Sequence, residues 1–525
     1  MMKKLKKAIA IITIIASVLS LGACGEKKET VSDGKNLSYW VSIPNNQAAL
    51  ISTFNDVNMY KKREKDTGIH IDFTHVSNDI ASEQFKLMIV SGDLPDIVEH
   101  NWTSYTGGVQ KAIDEDVLIP LNDYKDIIPN FMKALTEGEY ADSFRKGSTT
   151  DDGYIYGFTG LQAGSYRIYG GPLIRRDILK KDGKEIPETI AEWEELLTFY
   201  KNEKGMEAPL TGSKVSHFKP FVGAFGTSDT WFIDDDGKVQ YGPAQPQYKD
   251  FLAKMHEWYE KGLVDRNIST NTGDLTDAKF LTGEVVAVTS GNIGGDMGRF
   301  LKQKLKEDPN FDIVGVPFPV LNKGEINKYA ISTASDITKT RTAGVTTSCK
   351  TPEVAMKWLD WLYSEEGFYT TNFGVEGEDW NMIDGKPVYV DRIKNNPEGR
   401  SMVEGFMLCC RANEPFAGFL SSELQLEQYY EYPQQVETLE LWGANTEAVR
   451  KTSLPVLHNK DDEADKISSI SSDLTTYTSE MYWAFITGKE PIENFDKYIE
   501  NLNNKFKLNE FREIRQTQYK RYLER

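Results

Sequence analysis

The amino-acid sequence predicts an α/β protein built around a mostly parallel β-sheet. Near the start of the chain, apolar β-prone segments alternate with helical segments, and this alternation is typical of parallel sheets. The composition is that of an ordinary globular protein, with 39% hydrophobic, 11% aromatic and 27% charged residues. The 525 residues suffice for three or four average domains or for two large lobes.

Strand and helix signals follow one another in order. Three strands are predicted at residues 37–43, at 69–75 and from Asp96 onward, because these segments are apolar and β-prone. One helix is predicted between the first two strands, at 47–65, and another before the third strand, at 80–90. Ligands of parallel sheets collect outside the carboxyl ends of the strands, so residues 99–102 are expected at a cleft.

The middle of the chain contains helices with clear start signals and one hairpin. The helices are indicated by a capping box of Thr189 and Glu192, by an aromatic face over residues 248–259, and by Thr351 followed by Pro352. Residues 231–241 are typical of a hairpin that turns at Asp236 and Gly237. We interpret the acidic run at 460–466 as a solvated loop.

The first residues have the layout of a secretory signal. Residues 1–7 contain four lysines, residues 8–21 are almost entirely apolar, and Leu21-Gly22-Ala23 leads to Cys24. The apolar stretch is shorter than the ~20 residues of a membrane span. Its end resembles a bacterial lipobox, in which the cysteine is lipidated, so Cys24 is predicted to be a membrane anchor; the alternative is a plain signal peptide. Residues 25–35 are polar and are expected to form a tether.

The charge balance excludes polyanionic partners. The chain has 79 acidic against 61 basic residues, a formal net charge of -18. Cleavage before Cys24 would remove 23 residues, four lysines among them, and leave a net charge of -22. Such a chain repels the phosphate backbone, so we predict no nucleic-acid partner. It also repels anionic lipids, and membrane attachment is therefore assigned to the lipid anchor.

Signals for catalysis and metal binding are absent from the sequence. It contains no GxSxG, HExxH, phosphate-loop or dinucleotide-binding pattern. Cys349, Cys409 and Cys410 show no metal-ligand spacing and are predicted to be small core residues. The acidic turn at 234–237 lacks carboxylates at the first and last positions of a calcium loop. We therefore predict no cofactor and no metal ion.

The aromatic content suits a sugar-binding site. A sugar ring offers an apolar face and a fringe of hydroxyls, which call for aromatic platforms beside polar side chains in a preformed cleft. The chain has 10 Trp and 25 Tyr, and several of them stand next to polar clusters in predicted loops and at strand ends. Trp and Tyr are also common in cores, so the count alone is weak support.

Several motifs, taken in order, resemble those of one protein family. They are SGDLPDIV at 91–98, DGYIYGF at 152–158, LIRRDIL at 173–179, EVVAV at 284–288, and the block at 358–377 that ends in GVEG. Together with the lipobox, they resemble the extracellular solute-binding proteins of bacterial ABC importers, the class that includes maltose-binding protein. The resemblance covers essentially the whole chain after the signal. It is strongest to the large Gram-positive lipoproteins grouped with LipO and YtcQ, which serve complex oligosaccharides.

The resemblance implies a periplasmic-binding-protein-like fold of type II, with two hinged lobes around a central cleft. The N-terminal lobe would comprise residues 36–158 and 328–390, and the C-terminal lobe residues 159–327 and 391–525. Alginate-binding members of the family carry a calcium loop after the capped helix. The equivalent segment here, residues 201–209, lacks the first and central acidic ligands, which agrees with the prediction of no metal.

Ligand-binding residues are predicted from strand ends, from the segment after the lobe crossover and from the resemblance. They are Trp40, Glu99, Asn101, Trp102, Tyr166, Arg167, Trp231, Asn292 and Trp380. Arg167 suits hydroxyls or a uronate carboxylate, because its guanidinium offers a planar fork of donors. For each residue the alternative is a packing role within a lobe.

The resulting hypothesis is a monomeric, non-catalytic receptor anchored on the extracellular face of a Gram-positive cell membrane. It would capture an oligosaccharide and deliver it to ABC permease subunits. Two alternatives stay open at this point. The first is an exported glycan-degrading enzyme, since two carboxylates suffice for glycoside hydrolysis. The second is a glycan-binding lipoprotein of the same fold that presents its ligand to a sensor or mediates adhesion.

Overall fold

The described part of the protein contains two main β-sheets, of six and four strands, with helices packed around each of them, and two small two-stranded sheets. The computed structural model describes residues 34–162, 168–214, 218–334, 336–398, 400–411, 416–420 and 423–525. Cys24, Tyr166 and Arg167 lie outside the described residues. None of the helices in the described part of the chain combines the length and the apolar character needed to cross a membrane.

The strands are short, and most are fully or partly buried. In chain order they are β1 (Asn36–Ile43), β2 (His70–Ser77), β3 (Ile97–Asn101), β4 (Phe158–Leu161), β5 (Gly170–Arg175), β6 (Leu210–Thr211), β7 (Trp231–Ile233), β8 (Val239–Tyr241), β9 (Ala287–Asn292), β10 (Ile313–Gly315), β11 (Thr338–Val345), β12 (Trp380–Ile383), β13 (Lys386–Tyr389) and β14 (Gly418–Phe419).

Helices make up most of the remaining regular structure. They are α1 (Asn45–Ala48), α2 (Asn58–Thr67), α3 (Ala81–Ser91), α4 (Val109–Asp114), α5 (Pro129–Thr136), α6 (Ala141–Ser148), α7 (Arg176–Asp182), α8 (Ile190–Asn202), α9 (Lys219–Val222), α10 (Pro246–Glu260), α11 (Gly273–Thr282), α12 (Gly298–Lys304), α13 (Pro352–Asp360), α14 (Glu365–Phe373), α15 (Asp391–Lys394), α16 (Met402–Cys409), α17 (Glu423–Tyr429), α18 (Pro433–Gly443), α19 (Thr446–Thr452), α20 (Asp461–Ile486), α21 (Phe495–Asn504) and α22 (Leu508–Glu524).

The two main sheets define two lobes. The first lobe is the six-stranded sheet, in the order β14-β4-β11-β3-β1-β2, with the helices packed on it. The second lobe is the four-stranded sheet, in the order β10-β5-β9-β6, with its own helices. Trp358 packs in the core of the first lobe, and Trp193 and Trp258 pack in that of the second. The predicted α/β, two-lobe fold is confirmed.

The sheets are mixed, whereas the sequence predicts a mostly parallel arrangement. Strand β1 pairs in parallel with β2 and β3, but β11 runs antiparallel to both of its neighbours. The reason is the connectivity. The chain leaves the first sheet after β4, enters the second at β5, and returns to the first between β10 and β11. Since β11 enters the sheet at the edge where β3 and β4 end, it must run against them.

Two short stretches cross the predicted lobe boundaries. Residues 159–161 belong to β4 and β14 pairs with β4, so both lie in the first sheet, although we expected residues 159–327 and 391–525 in the other lobe. After β14 the chain reaches the second lobe, where the indole of Trp442 donates to the carbonyl of Val316 (2.9 Å). The remaining lobe boundaries stay a prediction.

Local sequence signals predict several elements correctly. Strands β1 and β2, helix α3 with Gly92 in the left-handed conformation (φ 70°), and the hairpin β7–β8 match the predictions. The capping box of Thr189 and Glu192 is present. Helix α13 begins at Pro352 with Thr351 at the N-cap position, as predicted, although the Thr351 side chain makes no capping hydrogen bond. The three cysteines that we predict as core residues are buried and free of disulfides.

Two predicted elements are wrong. The helix expected over 47–65 is interrupted, because Thr53 and Asp56 form a capping box that starts a 3-10 turn and buries Phe54. The acidic run at 460–466 is the beginning of the 26-residue helix α20 and not a loop. Acidic side chains stabilise a helix N-terminus, and Glu463 accepts from the backbone N–H of Lys460 (3.0 Å).

Candidate ligand-binding site

We place the candidate site at the two sheet edges where the chain crosses from one lobe to the other. On the first lobe, β1, β3 and β4 end at this edge. On the second lobe, β6 and β9 end there and β5 begins there, because Gly170 pairs with Asn292. Ligands of open α/β sheets bind outside the carboxyl ends of strands. We therefore describe the polar and aromatic side chains at these two edges.

A buried ionic network occupies the first-lobe edge. Glu99 is 1% exposed, and the guanidinium of Arg411 donates to both of its carboxylate oxygens (2.9 and 3.2 Å). The Nε of Arg341 lies 3.1 Å from the same carboxylate, and the Tyr39 hydroxyl donates to it (2.6 Å). Burial opposes ionisation of Glu99, but Arg411 and Arg341 hold the pKa of its carboxyl below the usual value. Glu99 therefore serves as a fixed counter-ion in this structure.

The two arginines of this network also make hydrogen bonds to segments that are far apart in sequence. Arg341, on β11, donates to the carbonyl and the hydroxyl oxygen of Ser42 at 2.9 Å each, and so links β11 to the end of β1. Arg411 follows α16, and its Nη1 donates to the Tyr60 hydroxyl (3.3 Å) on α2. The carboxylate thus links β1, β11 and the segment after α16 at the first sheet, although the predicted boundaries put that last segment in the other lobe.

Two asparagines, one on each lobe, have the same local geometry. The side-chain oxygen of Asn101 accepts from the backbone N–H and the hydroxyl of Thr103 (3.1 and 2.7 Å). That of Asn292 accepts from the backbone N–H groups of Gly295 and Asp296 (2.6 and 3.1 Å). Both side chains are partly exposed, and neither side-chain amide group donates to another described residue. Each capping bond fixes the side chain and leaves two donors available at the edge.

The predicted tryptophans lie mostly in cores. Trp102 is fully buried and donates to the carbonyl of Val98 (3.0 Å), and Trp40 is 5% exposed. Trp380 is 3% exposed, donates to the carbonyl of Gly374 (3.0 Å) and stacks on Tyr369. Trp231 is partly buried against Tyr241 and Phe511, with ring centroids 4.8 and 4.9 Å away. In this conformation, packing occupies the rings of Trp40, Trp102 and Trp380; their role in ligand binding stays a prediction.

His100 lies on the opposite face of β3 from Glu99. Its ring packs against Phe85 and Trp40, with centroids 4.5 and 5.6 Å away, and its Nε2 makes no hydrogen bond in the described part of the chain. Burial, followed by the positive charge of Arg341, lowers the pKa of His100 to about 4. The imidazole is therefore neutral at ordinary pH.

Tyr169 is a residue at the second-lobe edge that the sequence analysis does not predict. It stands where the chain enters the second lobe, and its side chain is 49% exposed. The sequence predicts the neighbouring Tyr166 and Arg167 instead, because no local signal shows which side chain of a crossing segment is exposed. One sequence feature bears on Tyr169. It is directly followed by Gly170 and Gly171, which bring no side chains to the start of the strand.

No group of three or more His, Cys, Asp or Glu in the described residues is arranged to hold a metal ion. In the segment at 201–209, the ammonium group of Lys201 donates to the carbonyl of Glu207 (3.0 Å) and that of Lys204 to Asp182 (2.6 Å).

Two main sheets, each with its own helices, define a protein of two lobes that the chain crosses between. The profile of the bacterial extracellular solute-binding proteins matches residues 58–372, more than half of the chain. The chain belongs to this family.

Known relatives extend this match over the whole chain. The fructooligosaccharide ABC transporter substrate-binding protein FusA of Streptococcus pneumoniae serotype 4 is 24% identical over 567 aligned positions, which cover 99% of this chain and 98% of FusA. Lipoprotein LipO of Bacillus subtilis is 22% identical over 64% of this chain and 66% of its own length.

Solved structures confirm the fold. FusA in complex with kestose superposes with a TM-score of 0.68 and 21% identity over 93% of this chain and 100% of FusA. The alginate-binding protein AlgQ2 without calcium ion gives a TM-score of 0.70 and 20% identity over 93% of this chain and 99% of AlgQ2. By name, FusA is a substrate-binding protein and AlgQ2 is an alginate-binding protein.

Proposed function

We propose that this protein is a lipid-anchored extracellular receptor that captures an oligosaccharide and delivers it to an ABC importer. The observation that carries the proposal is the likeness to the ABC substrate-binding protein FusA over 99% of the chain. The family itself establishes solute binding outside the cell. We propose three things in addition to the family assignment. The ligand is a sugar, the receptor delivers it to an ABC importer, and a lipid anchors the receptor to the membrane.

The geometry of the two edges supports a polyhydroxylated ligand. Asn101 and Asn292 each offer a fixed pair of amide donors, one pair from each lobe, and sugar hydroxyls accept such hydrogen bonds. The ionic network of Glu99, Arg341 and Arg411 makes the first-lobe edge rigid. A preorganised edge lowers the ordering cost of binding. We propose that both asparagines contact the ligand.

A ligand that contacts both lobes is expected to close them. A ligand that binds the closed form better than the open form shifts the population toward the closed form. A hydroxylated chain long enough to meet Asn101 and Asn292 together gains interactions in the closed form that the open form lacks. Closure would in turn give the permease a way to recognise the loaded receptor.

Calorimetry on the purified chain after residue 35 tests the binding function. We expect saturable binding of at least one oligosaccharide from a panel of neutral, acidic and N-acetylated chains, with the ligand recovered intact. A ligand at 100 times its dissociation constant should add about 2.7 kcal/mol to the free energy of unfolding. Hydrolysis of the ligand would refute the receptor proposal and favour a glycan-degrading enzyme.

Replacement of Cys24 tests the anchor. In cells expressing the full chain, Cys24→Ala should release the protein from the membrane fraction, while ligand binding stays unchanged. Labelling with a radioactive fatty acid should be lost in the same variant. Retention of the label after Cys24→Ala would contradict the assignment of this residue as the lipidation site.

A further inference from the structure

We infer that helix α22 is a strut that joins the two lobes and fixes the line about which they turn. The helix has 17 residues and is therefore about 25 Å long. Its first half is held by the second lobe and its last turn by the first lobe. This role goes beyond solute binding and does not depend on the identity of the ligand.

The first half of α22 belongs to the second lobe. Leu508 and Phe511 are buried in the same core cluster as Trp193. The backbone N–H of Val239, on β8, donates to the side-chain oxygen of Gln516 (2.8 Å). Apolar burial at one end and a hydrogen bond two turns later fix residues 508–516 of the helix on the second lobe.

The last turn of α22 is held by the first lobe. Arg145, on α6, donates to the carbonyl oxygen of Arg525 (2.7 Å). Lys146, the next residue, donates to that of Leu523 (3.2 Å). The last carbonyls of a helix have no partner inside the helix, and cations near them stabilise its end. Arg525 in turn donates to the carboxylate of Asp151 (2.8 Å), in the turn before β4. The first lobe thus completes the end of a helix that is rooted in the second.

The middle of α22 lies against the segment that connects α19 with α20. Gln518 is fully buried, and its side-chain amide donates to the side-chain oxygen of Asn459 (2.8 Å). Gly108 of the first lobe faces the same segment, since a Cβ atom at this glycine would lie 2.2 Å from the carbonyl oxygen of Asn459. Lys111 adds an ion pair with Asp461 (3.0 Å) at the start of α20. The first lobe therefore contacts α20 as well as α22.

The ion pairs at the first-lobe end resist separation of the lobes. The side chains of Asp151 and Arg525 are 10% and 3% exposed, so solvent ions screen their attraction little. Separation would leave buried charges without a partner. A stiff helix held at both ends keeps the lobes together on its own side and leaves them a rotation about it. Lobes restricted to one rotation lose less conformational entropy on closing than freely jointed lobes.

Spin labels on the two lobes test this role by pulsed electron paramagnetic resonance in the absence of ligand. Lys86→Cys on α3 and Lys302→Cys on α12 provide exposed attachment points, one on each lobe. Cys24→Ala removes the predicted lipidation site from the full chain. The three remaining cysteines are buried and stay unlabelled in the folded protein. The measured quantity is the distribution of distances between the two labels.

Detachment of the last turn of α22 should loosen the lobes. With Arg145→Gln and Asp151→Asn together, the distribution should become broader than in the wild type and its mean distance longer. Asp151→Asn alone should change it in the same direction, and it replaces the double variant if that one does not fold. An unchanged distribution in the folded double variant, or in Asp151→Asn where it is the replacement, would overturn the role of α22.

Glu194→Gln is the matched control, because Glu194 also binds two cations but does so within the second lobe. Its carboxylate accepts from Lys254 (3.2 Å) and Lys261 (2.5 Å). This variant should leave the distribution of distances as it is in the wild type. Equal broadening in Glu194→Gln would indicate a general loosening of the protein and would also overturn the role of α22. Since no ligand is present, neither result bears on the proposed receptor function.

Discussion

At the scale of single residues, the buried carboxylate of Glu99 is the most consequential group in the first lobe. Glu99→Gln keeps its shape but removes the negative charge that neutralises Arg411 and Arg341. Breaking a buried ion pair from one side leaves an uncompensated charge, so we expect a loss of about 3–5 kcal/mol in the free energy of unfolding. Denaturant titration measures it. The control is Glu447→Gln, which breaks an exposed pair with Arg450 and should cost under about 1 kcal/mol.

His100 makes a separate prediction about pH. Its pKa is about 4 in the folded chain against 6.5 in the unfolded chain, so between these values the unfolded state binds more protons. Stability must then fall as the pH is lowered from 6.5 to 4, by up to about 3 kcal/mol from this group. The free energy of unfolding of His100→Gln should therefore fall less than that of the wild type as the pH is lowered. Urea titrations at pH 7, 6, 5 and 4.5 measure the difference. Parallel pH dependences of the two proteins would contradict the burial of a neutral imidazole.

At the residue scale, the structure places Asn101 and Asn292 at the ends of strands, while their predicted contact with the ligand stays a prediction. Both lie at strand ends, which local patterns identify. The burial of Trp102 and the pairing of Glu99 with Arg411 depend on contacts across the fold, the latter over 312 positions of sequence. A strand-end signal shows where a residue lies along the chain but not whether a distant segment covers it.

At the scale of elements, the C-terminal helix α22 docks onto the first lobe through Asp151. Arg521 and Arg525 both bind the carboxylate of Asp151, which lies in the turn before β4, and Arg521 also binds Glu463 with two bonds of 2.7 Å. Asp151→Asn should lower the free energy of unfolding by about 3 kcal/mol, because two partly buried guanidinium groups lose a counter-charge. Thermal or denaturant unfolding measures the loss.

Asp152, the residue after Asp151, supplies the control for the docking of α22. Asp152 is exposed, so Asp152→Asn should change stability by less than about 0.5 kcal/mol. An equally small effect of the two variants would mean that the ion pairs with Asp151 contribute nothing to stability. The start of α20 belongs to the same assembly through Glu463, which explains why an acidic run that is typical of a loop is helical here. Its stabilising partners come from α22, about 60 residues later, beyond any local pattern.

At the scale of the whole molecule, the sequence predicts the two-lobe architecture through a resemblance, and not through its strand pattern. The alternation of strands and helices indicates an α/β class. It does not show that β11 and β14 belong to the first sheet although the chain forms the second sheet between β4 and β11. Such pairings join segments about 180 to 260 positions apart, as in β4 with β11 and β14. Motif order carries that information because solved structures of similar sequence share the fold over 93% of this chain, whereas periodicity is a local property.

This connectivity leads to a prediction about closure. If the ligand bridges Asn101 and Asn292, binding must draw the lobes together, and small-angle scattering at saturating ligand should show a smaller radius of gyration. Asn292→Asp retains the oxygens that cap Gly295 and Asp296 but removes the two amide donors. It should bind more weakly and, even when saturated, close less completely, since a ligand biases closure only by its differential contacts with the two states. Full closure of saturated Asn292→Asp would show that Asn292 contributes nothing to the bridge.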